Sequence, residues 1–152
     1  MSLQPNRVAD CRLPVTGIGV LVVDDEPSLR EGLARLIACA PLTLRFIATA
    51  ANSAQALSAA TRLKPDLVLL DVDLGGEDGL ALIVQLGAKA HVLVLTSHGD
   101  VATRERAARL GAIALVEKHR PAAELLRTIV DVVLPHSREE VAPGAKGTFA
   151  HL

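Results

Sequence analysis

Acidic, hydroxyl and ammonium side chains stand where the apolar runs of this sequence end. Asp24 and Asp25 follow the first run, and Asp71 closes the third. Thr96 ends the fourth run, and Lys118 comes just after the fifth. Carboxylates that are brought together repel one another unless a cation joins them, and sites made of carboxylates and water suit Mg²⁺. A carboxylate held against Mg²⁺ and an ammonium group can also accept a phosphoryl group.

The apolar runs that would position these side chains predict five β-strands. The runs are too short for helices, and they are continuous rather than alternating, which is typical of parallel strands buried on both faces. The predicted strands are Ile18–Val23, Leu42–Ala48, Leu67–Val72, Val92–Thr96 and Ile113–Val116.

Helical patterns separate the five runs. Pro27 suits the first turn of a helix whose apolar stripe follows, and Asp100 can cap a helix that stops at Gly111. The helices predicted after the first are Asn52–Leu63, Leu80–Leu86, Asp100–Leu110 and Pro121–Leu134. Strict alternation of strands and helices predicts an α/β fold, a doubly wound parallel sheet with helices on both faces. Functional groups of such sheets lie at the carboxyl ends of the strands, where the polar side chains converge.

Composition excludes several classes of function. The chain has 152 residues, of which 50% are hydrophobic and 22% charged, and its net charge is −1. Without a basic cluster a nucleic-acid surface is not expected. No apolar run approaches the roughly 20 residues of a membrane span, and the two cysteines have no metal-ligand spacing, so we expect a cytoplasmic protein. The patterning predicts a flexible leader over 1–16, one domain over 17–134, and a flexible tail or truncated linker over 135–152.

Four segments in order, LVVDDEPSLREGL, LVLLDVDLGGEDGL, VLVLTSHGD and LGAIALVEK, resemble the receiver domain of bacterial two-component response regulators. The resemblance covers residues 17–134. It implies a flavodoxin-like sheet with strand order 2-1-3-4-5.

The resemblance also implies a Mg²⁺ site with assigned ligands. Asp25 would bind the ion directly, and Asp24 mainly through water. Asp71 and the backbone carbonyl of Asp73 would be further ligands. Because like charges disfavour ionisation, we expect the crowded carboxylates of the metal-free protein to raise one another's pKa.

The catalytic roles implied by the resemblance centre on Asp71 as the phosphoacceptor. Thr96 would hydrogen-bond to the phosphoryl group, and Lys118 would form an ion pair with it. The donor would be a phosphohistidine on a sensor histidine kinase or a phosphotransfer protein. The protein would catalyse only its own phosphorylation from a phosphodonor and its own dephosphorylation, and it would not act on other substrates. A homodimer is possible.

The signal is expected to leave through one surface, made of Asp100–Leu110, Ile113–Val116 and Pro121–Leu134. The helix of Asp100–Leu110 has few large apolar residues, which predicts weak anchoring. The apolar stripe of the last helix is wide enough to serve a partner, or it is simply core.

The sequence departs from the receiver pattern at four positions. Leu115 stands where an aromatic switch residue is common, so movement of backbone and helix is expected rather than a ring flip. Gly75 replaces a usual proline, and Asp73 is acidic beside the site. His119 follows Lys118 in place of proline, so a cis peptide bond is not expected there.

Two alternatives stay open. The segment LLDVDLGG faintly resembles the start of haloacid-dehalogenase-type phosphatases, with Asp71 as nucleophile and Asp73 as acid/base, but this reading leaves Asp24 and Asp25 unexplained. The second alternative is a receiver-like module that binds proteins without being phosphorylated. Thr96 and Lys118, together with the acids, argue against it.

Overall fold

A five-stranded parallel sheet forms the centre of the computed structural model, which describes residues 17–134. In chain order the strands are β1 (Ile18–Val23), β2 (Leu44–Ala50), β3 (Leu67–Asp71), β4 (Asp73–Leu74), β5 (Glu77–Asp78), β6 (His91–Thr96) and β7 (Ala114–Glu117). The main sheet has the order β2-β1-β3-β6-β7, and all its pairs are parallel. This confirms the doubly wound sheet and its predicted order. The predicted leader and tail lie outside the described residues.

Within residues 17–134, five helices cover the two faces of this sheet. They are α1 (Pro27–Ala38), α2 (Ser53–Leu63), α3 (Ile83–Leu86, preceded by a 3-10 turn at Gly79–Leu82), α4 (Val101–Leu110) and α5 (Ala122–Val133). Ile37 of α1 and Ile129 of α5 lie in the core of one face. Ala56 of α2, Leu86 of α3 and Ala107 of α4 lie in the core of the other. Along the described residues, no helix is long and apolar enough to cross a membrane.

Burial explains why the strand runs are continuously apolar. Every residue of β3 is buried, and in β1 Val20 and Val22 face one core while Leu21 and Val23 face the other. A strand with a core on both sides needs apolar residues at successive positions, because neighbouring side chains point to opposite faces.

The helix ends that position the site follow from local capping. The side chain of Asp100 accepts a hydrogen bond from the Thr103 amide at 2.8 Å, which caps α4. The helix stops at Gly111, whose φ of 111° lies in the left-handed region that glycine tolerates. Asn52 caps α2 in the same way, through the Gln55 amide at 2.9 Å.

The second strand was placed wrongly by the sequence pattern. It spans Leu44–Ala50 rather than Leu42–Ala48. The amide of Leu42 donates to the carbonyl of Ala40 at 2.7 Å, so this residue belongs to the turn after α1. At the other end, Ala50 pairs with Val23 of β1, which extends the strand by two residues. Similarly, β3 ends at Asp71 instead of Val72.

A small antiparallel hairpin after β3, formed by β4 and β5, was not predicted. Its connection is Gly75–Gly76, with φ of 59° and 96°. Positive φ at both central residues is what a type I′ hairpin turn requires. Proline, whose φ is fixed near −65°, cannot stand at Gly75 in this conformation, which explains the departure from the receiver pattern.

Candidate functional site

The carboxyl ends of four neighbouring strands bring the predicted site residues together. Asp24 follows β1, Asp71 ends β3, Thr96 ends β6 and Lys118 follows β7. One carboxylate oxygen from each of Asp24, Asp25 and Asp71 lies within 4.8 Å of the others. The three acids therefore form one cluster, as the parallel topology predicted.

Asp71 is the most firmly held carboxylate of this cluster. Its side chain is 3% exposed, its Oδ1 accepts a hydrogen bond from the Asp73 amide at 3.0 Å, and its Oδ2 accepts one from Lys118 Nζ at 2.9 Å. Both oxygens thus have a fixed donor. The Lys118 backbone is held in turn, because its amide donates to the Thr96 carbonyl at 2.8 Å.

Asp24 is fully buried, and its two oxygens differ. Oδ1 accepts a hydrogen bond from the Glu26 amide at 3.0 Å. Oδ2 has no hydrogen-bond partner and lies 3.6 Å from Lys118 Nζ. Burial raises the pKa of the Asp24 carboxyl, and the charge of Asp71 adds to it, although the Glu26 amide and Lys118 act in the opposite direction. For Asp24 the predicted rise is therefore present, but its largest cause is desolvation rather than repulsion between the acids.

Lys118 stays positively charged although it is partly buried. Burial alone would lower the pKa of its ammonium group, but the hydrogen bond and charge of Asp71, together with the charge of Asp24, outweigh that effect and raise it. A cation is thus fixed beside the Asp71 carboxylate.

The donor set of this cluster fits a hard divalent cation. It consists of carboxylate oxygens, which Mg²⁺ prefers, and it includes the unpartnered Oδ2 of buried Asp24. Asp25 is exposed and leaves room for the water that Mg²⁺ keeps. A Cβ at Gly75 would stand 3.2 Å from Asp25 Oδ2, so the hairpin turn lies close to this carboxylate. Asp73 starts the hairpin beside the cluster, and its side chain is exposed.

Thr96 is buried at the site, but its hydroxyl is engaged with its own loop. Oγ1 donates to the His98 carbonyl at 3.1 Å and accepts from the His98 amide at 3.0 Å. The orientation of this hydroxyl was not predictable from the sequence, because it depends on the conformation of the loop before α4.

The backbone around the site confirms one smaller expectation, and the structure also shows where Leu115 lies. Residues 17–134 contain no cis peptide bond, which agrees with the expectation for the bond between Lys118 and His119. Leu115 is fully buried in the core beneath α4.

Helices α4 and α5, which belong to the surface through which the signal is expected to leave, differ in how they are anchored to the core. In α4 only Ala107 is buried, and Val101 is 68% exposed. In α5 three apolar side chains are buried, and Leu126 and Val133 pack partly against the same core. Much of the α5 stripe is therefore core.

Comparison with known proteins gives a consistent set of relatives. The family described as Response regulator receiver domain matches residues 20–130. The chain is 37% identical over 110 residues to Protein-glutamate methylesterase/protein-glutamine glutaminase 2 of Anaeromyxobacter dehalogenans (strain 2CP-C), an alignment covering 71% of this chain and 32% of that protein. It is 33% identical over 129 residues to the transcriptional regulatory protein LnrK of Bacillus subtilis (strain 168), covering 83% of this chain and 57% of LnrK.

Among solved structures, the chain is similar to the crystal structure of a response regulator protein from Burkholderia pseudomallei with a phosphorylated aspartic acid, calcium ion and citrate. The TM-score is 0.66 at 28% identity, and the match covers 86% of this chain and 74% of that one. The two curated relatives are longer than this chain, which spans 32% and 57% of their lengths.

Proposed function

This chain belongs to the response regulator receiver domain family of bacterial two-component systems, and from that premise we propose that Asp71 accepts a phosphoryl group from a phosphohistidine. The donor would be a sensor histidine kinase or a phosphotransfer protein. The observation that carries the proposal is the Asp71 carboxylate, buried at a strand end with Lys118 Nζ at 2.9 Å and two further acids beside it.

In the proposed transfer, an Asp71 carboxylate oxygen forms a bond to phosphorus while the bond between phosphorus and the imidazole nitrogen breaks. The electron pair of the broken bond stays with the imidazole. The Lys118 ammonium group offsets the negative charge of the transferring group without having to move far, because it already touches Asp71.

Mg²⁺ is the proposed cofactor of this site. Asp25 would bind it directly, Asp24 mainly through water, and Asp71 and the Asp73 backbone carbonyl would be further ligands. When bound, the ion supplies positive charge that neutralises the phosphoryl oxygens. The Burkholderia pseudomallei relative holds both a phosphorylated aspartic acid and a calcium ion, which supports an aspartyl phosphate beside a divalent cation here.

Thr96 is proposed to hydrogen-bond to the phosphoryl group once that group is present. Its hydroxyl would then give up the hydrogen bond that it donates to the His98 carbonyl. This exchange draws the loop before α4 toward the site. We propose that the surface of α4, β7 and α5 changes in consequence.

Loss of the phosphoryl group is proposed to occur at the same site. Water adds to phosphorus, the Asp71 carboxylate leaves, and inorganic phosphate is released. The protein would thus modify itself and recover, and it would not turn over an outside substrate. Family membership gives no support to the haloacid-dehalogenase alternative.

The wider setting of the domain is also a proposal. We assign residues 17–134 to the receiver unit, 1–16 to a leader, and 135–152 to a tail or truncated linker. We place the protein in the cytoplasm, where its kinase partner would present the phosphohistidine, and we leave open a homodimer and any output domain.

The test is intact-mass analysis after incubation with acetyl phosphate and Mg²⁺. We expect one added phosphoryl group in the parent and in Asp131→Asn, an exposed acid on α5 that serves as control. We expect none in Asp71→Asn or in the presence of a chelator. An unmodified parent would favour the non-phosphorylated binding module, and labelling of Asp71→Asn would move the acceptor to another residue.

A further inference from the structure

The β4–β5 hairpin is held from both sides by helices. On one side, Glu77 Oε1 accepts hydrogen bonds from the Ser53 amide at 3.0 Å and from Ser53 Oγ at 2.7 Å, at the start of α2. On the other side, Arg106 of α4 contacts Asp78 through two nitrogens, with Nη2 at 2.6 Å from Oδ2 and Nη1 at 3.4 Å from Oδ1. The hairpin therefore joins α2 to α4.

The same hairpin touches the acid cluster. Asp73 lies directly opposite Asp78 in the hairpin register, and its amide donates to Asp71 Oδ1 at 3.0 Å. The turn at Gly75 lies near Asp25, because a Cβ at Gly75 would stand 3.2 Å from Asp25 Oδ2. Arg106 is thus connected to two of the three clustered carboxylates through one short hairpin.

The hairpin on its own is a weakly ordered element. Its strands have two residues each, and its two-residue turn is all glycine, which has the largest conformational freedom of any residue. An isolated pair of strands this short does not hold its own shape in water. Leu74 of β4 is buried in the core and anchors that strand, whereas both residues of β5 are exposed, so the contacts from Ser53 and Arg106 are what fix β5 in place.

We propose that Arg106 is a positioning residue for the metal site: through Asp78 it holds the hairpin in the arrangement that binds Mg²⁺, and so it couples α4 to metal binding. The inference rests on the proposed function of the acid cluster. Holding the loop in advance reduces the ordering that metal binding would otherwise require. By linkage, bound Mg²⁺ stabilises the contact of α4 with the hairpin by the same factor.

Two further observations agree with this coupling. The hydrogen bond from Arg106 lowers the pKa of the Asp78 carboxyl, so the pair is ionised at neutral pH. Helix α4 buries little apolar surface, since Ala107 is its only buried residue. A polar contact is then a larger share of what fixes this helix in place than it would be for α5.

The test is a double-mutant cycle on Mg²⁺ affinity, measured by isothermal titration calorimetry. Arg106→Gln removes the positive charge of the pair, and Asp78→Asn removes the negative charge. In Asp78→Asn the side-chain amide oxygen can still accept the hydrogen bond that the Leu80 amide donates to Asp78 Oδ1 at 3.1 Å. Because both side chains are about half exposed, we expect each change to weaken Mg²⁺ binding about two- to fivefold. The double variant should bind Mg²⁺ no more weakly than either single variant does. Arg106→Lys should recover part of the lost Mg²⁺ affinity.

Arg109→Gln is the matched control, because Arg109 is an exposed arginine of the same helix and no ion pair within the described part of the chain includes it. Its Mg²⁺ affinity should equal that of the parent. Amide hydrogen exchange gives an independent readout: Mg²⁺ should slow exchange in α4 of the parent and have a smaller effect in Arg106→Gln.

The outcomes separate the two proposals. A parent that binds no Mg²⁺ overturns the proposed metal site and this inference with it. A parent that binds Mg²⁺ while Arg106→Gln binds it equally well overturns the positioning role alone. Losses that add in the double variant also overturn it, because they would mean that the two residues act independently.

Discussion

Asp24 combines complete burial with a carboxylate oxygen that has no hydrogen-bond partner. Burying a charge without full compensation costs stability, and the raised pKa of this carboxyl has the same cause. In the metal-free protein this residue therefore works against folding. The proposed metal site would account for its presence, because a cation or its water would satisfy the free oxygen.

We expect Asp24→Asn to stabilise the metal-free protein, because it removes the buried charge and keeps an oxygen for the Glu26 amide. Thermal unfolding in a chelator should show a Tm about 3–5 °C higher, the change that roughly 1 kcal/mol causes in a domain of this size. Asp25→Asn, at an exposed position, should leave Tm within about 2 °C of the parent. A lower Tm for Asp24→Asn would contradict this account of the site.

The same residue predicts the direction of one pH effect. Because the pKa of Asp24 is raised in the folded state, its contribution to stability is fully present below the ordinary carboxyl pKa. That contribution is lost as pH rises through the raised value. The stability difference between Asp24→Asn and the metal-free parent should therefore grow with pH across this range and then level off.

Mg²⁺ affinity should depend strongly on Asp25. Asp25 is exposed, so Asp25→Ala should not destabilise the fold, yet it removes one of the few proposed carboxylate ligands. We expect calorimetric titration to show binding weaker by on the order of tenfold or more, since even residues that only orient a ligand contribute that much. Glu31→Ala, an exposed acid on α1, is the control. Equal affinity of Asp25→Ala and the parent would refute the assignment.

The sequence indicated which side chains lie close together, but it said less about the hydrogen bonds that those side chains make. Asp71 and Lys118 could be predicted as neighbours because both stand at the ends of apolar strands, and parallel strands end at one edge. The hydrogen bonds of Thr96 with His98, and the unpartnered oxygen of Asp24, depend on loop geometry and depth that no spacing encodes.

At the level of secondary structure, elements with a strong apolar pattern were predicted well, and short elements or those with a weak pattern were not. The helices carried stripes and caps such as Asp100, and the buried strands were continuous apolar runs. The edge strand β2 is mostly partly buried and has exposed positions such as Arg45 and Thr49, so its apolar pattern is weak and its predicted limits were two residues off. The β4–β5 hairpin has no periodicity, and Gly75–Gly76 was its only signal.

The 3-10 turn before α3 requires glycine at its first position. A Cβ at Gly79 would lie 2.6 Å from the Asp71 carbonyl oxygen and 2.7 Å from Val72 Cα. We expect Gly79→Ala to lower the free energy of unfolding by about 1–3 kcal/mol, as overpacking does. Gly32→Ala is the control, because a Cβ on Gly32 of α1 meets nothing within 4 Å. It should stabilise by about 0.5–1 kcal/mol. Denaturant unfolding measures the free energy of unfolding of both variants. An unchanged value for Gly79→Ala would contradict the prediction, because it would show that the backbone around Gly79 shifts at no cost.

Across the domain as a whole, helices α4 and α5 are anchored unequally, so we expect them to respond unequally to a change at the site. Helix α4 has one buried residue, whereas α5 has four. Local opening is easiest where little apolar surface is buried. A change that begins at Thr96 is therefore expected to reach α4 first.

Hydrogen exchange with and without beryllofluoride, which mimics a bound phosphoryl group, tests this expectation. We expect altered protection over residues 96–134, with the largest change in α4, and little change in α2. Position 115 carries leucine, which has no aromatic ring, so the change should involve backbone and helix positions rather than a ring flip. Unchanged protection throughout residues 96–134 would rule out this surface as the route of the signal.

The most direct measurement is to locate the phosphoryl group on one side chain. After treatment with acetyl phosphate and Mg²⁺, borohydride reduces an aspartyl phosphate at its acyl carbon, releases phosphate and leaves homoserine, which tandem mass spectrometry of peptides identifies. The buried carboxylate 2.9 Å from Lys118 Nζ predicts homoserine at position 71 alone. Homoserine at Asp24, Asp25 or Asp73, or at no position, would contradict the assignment of Asp71 as phosphoacceptor.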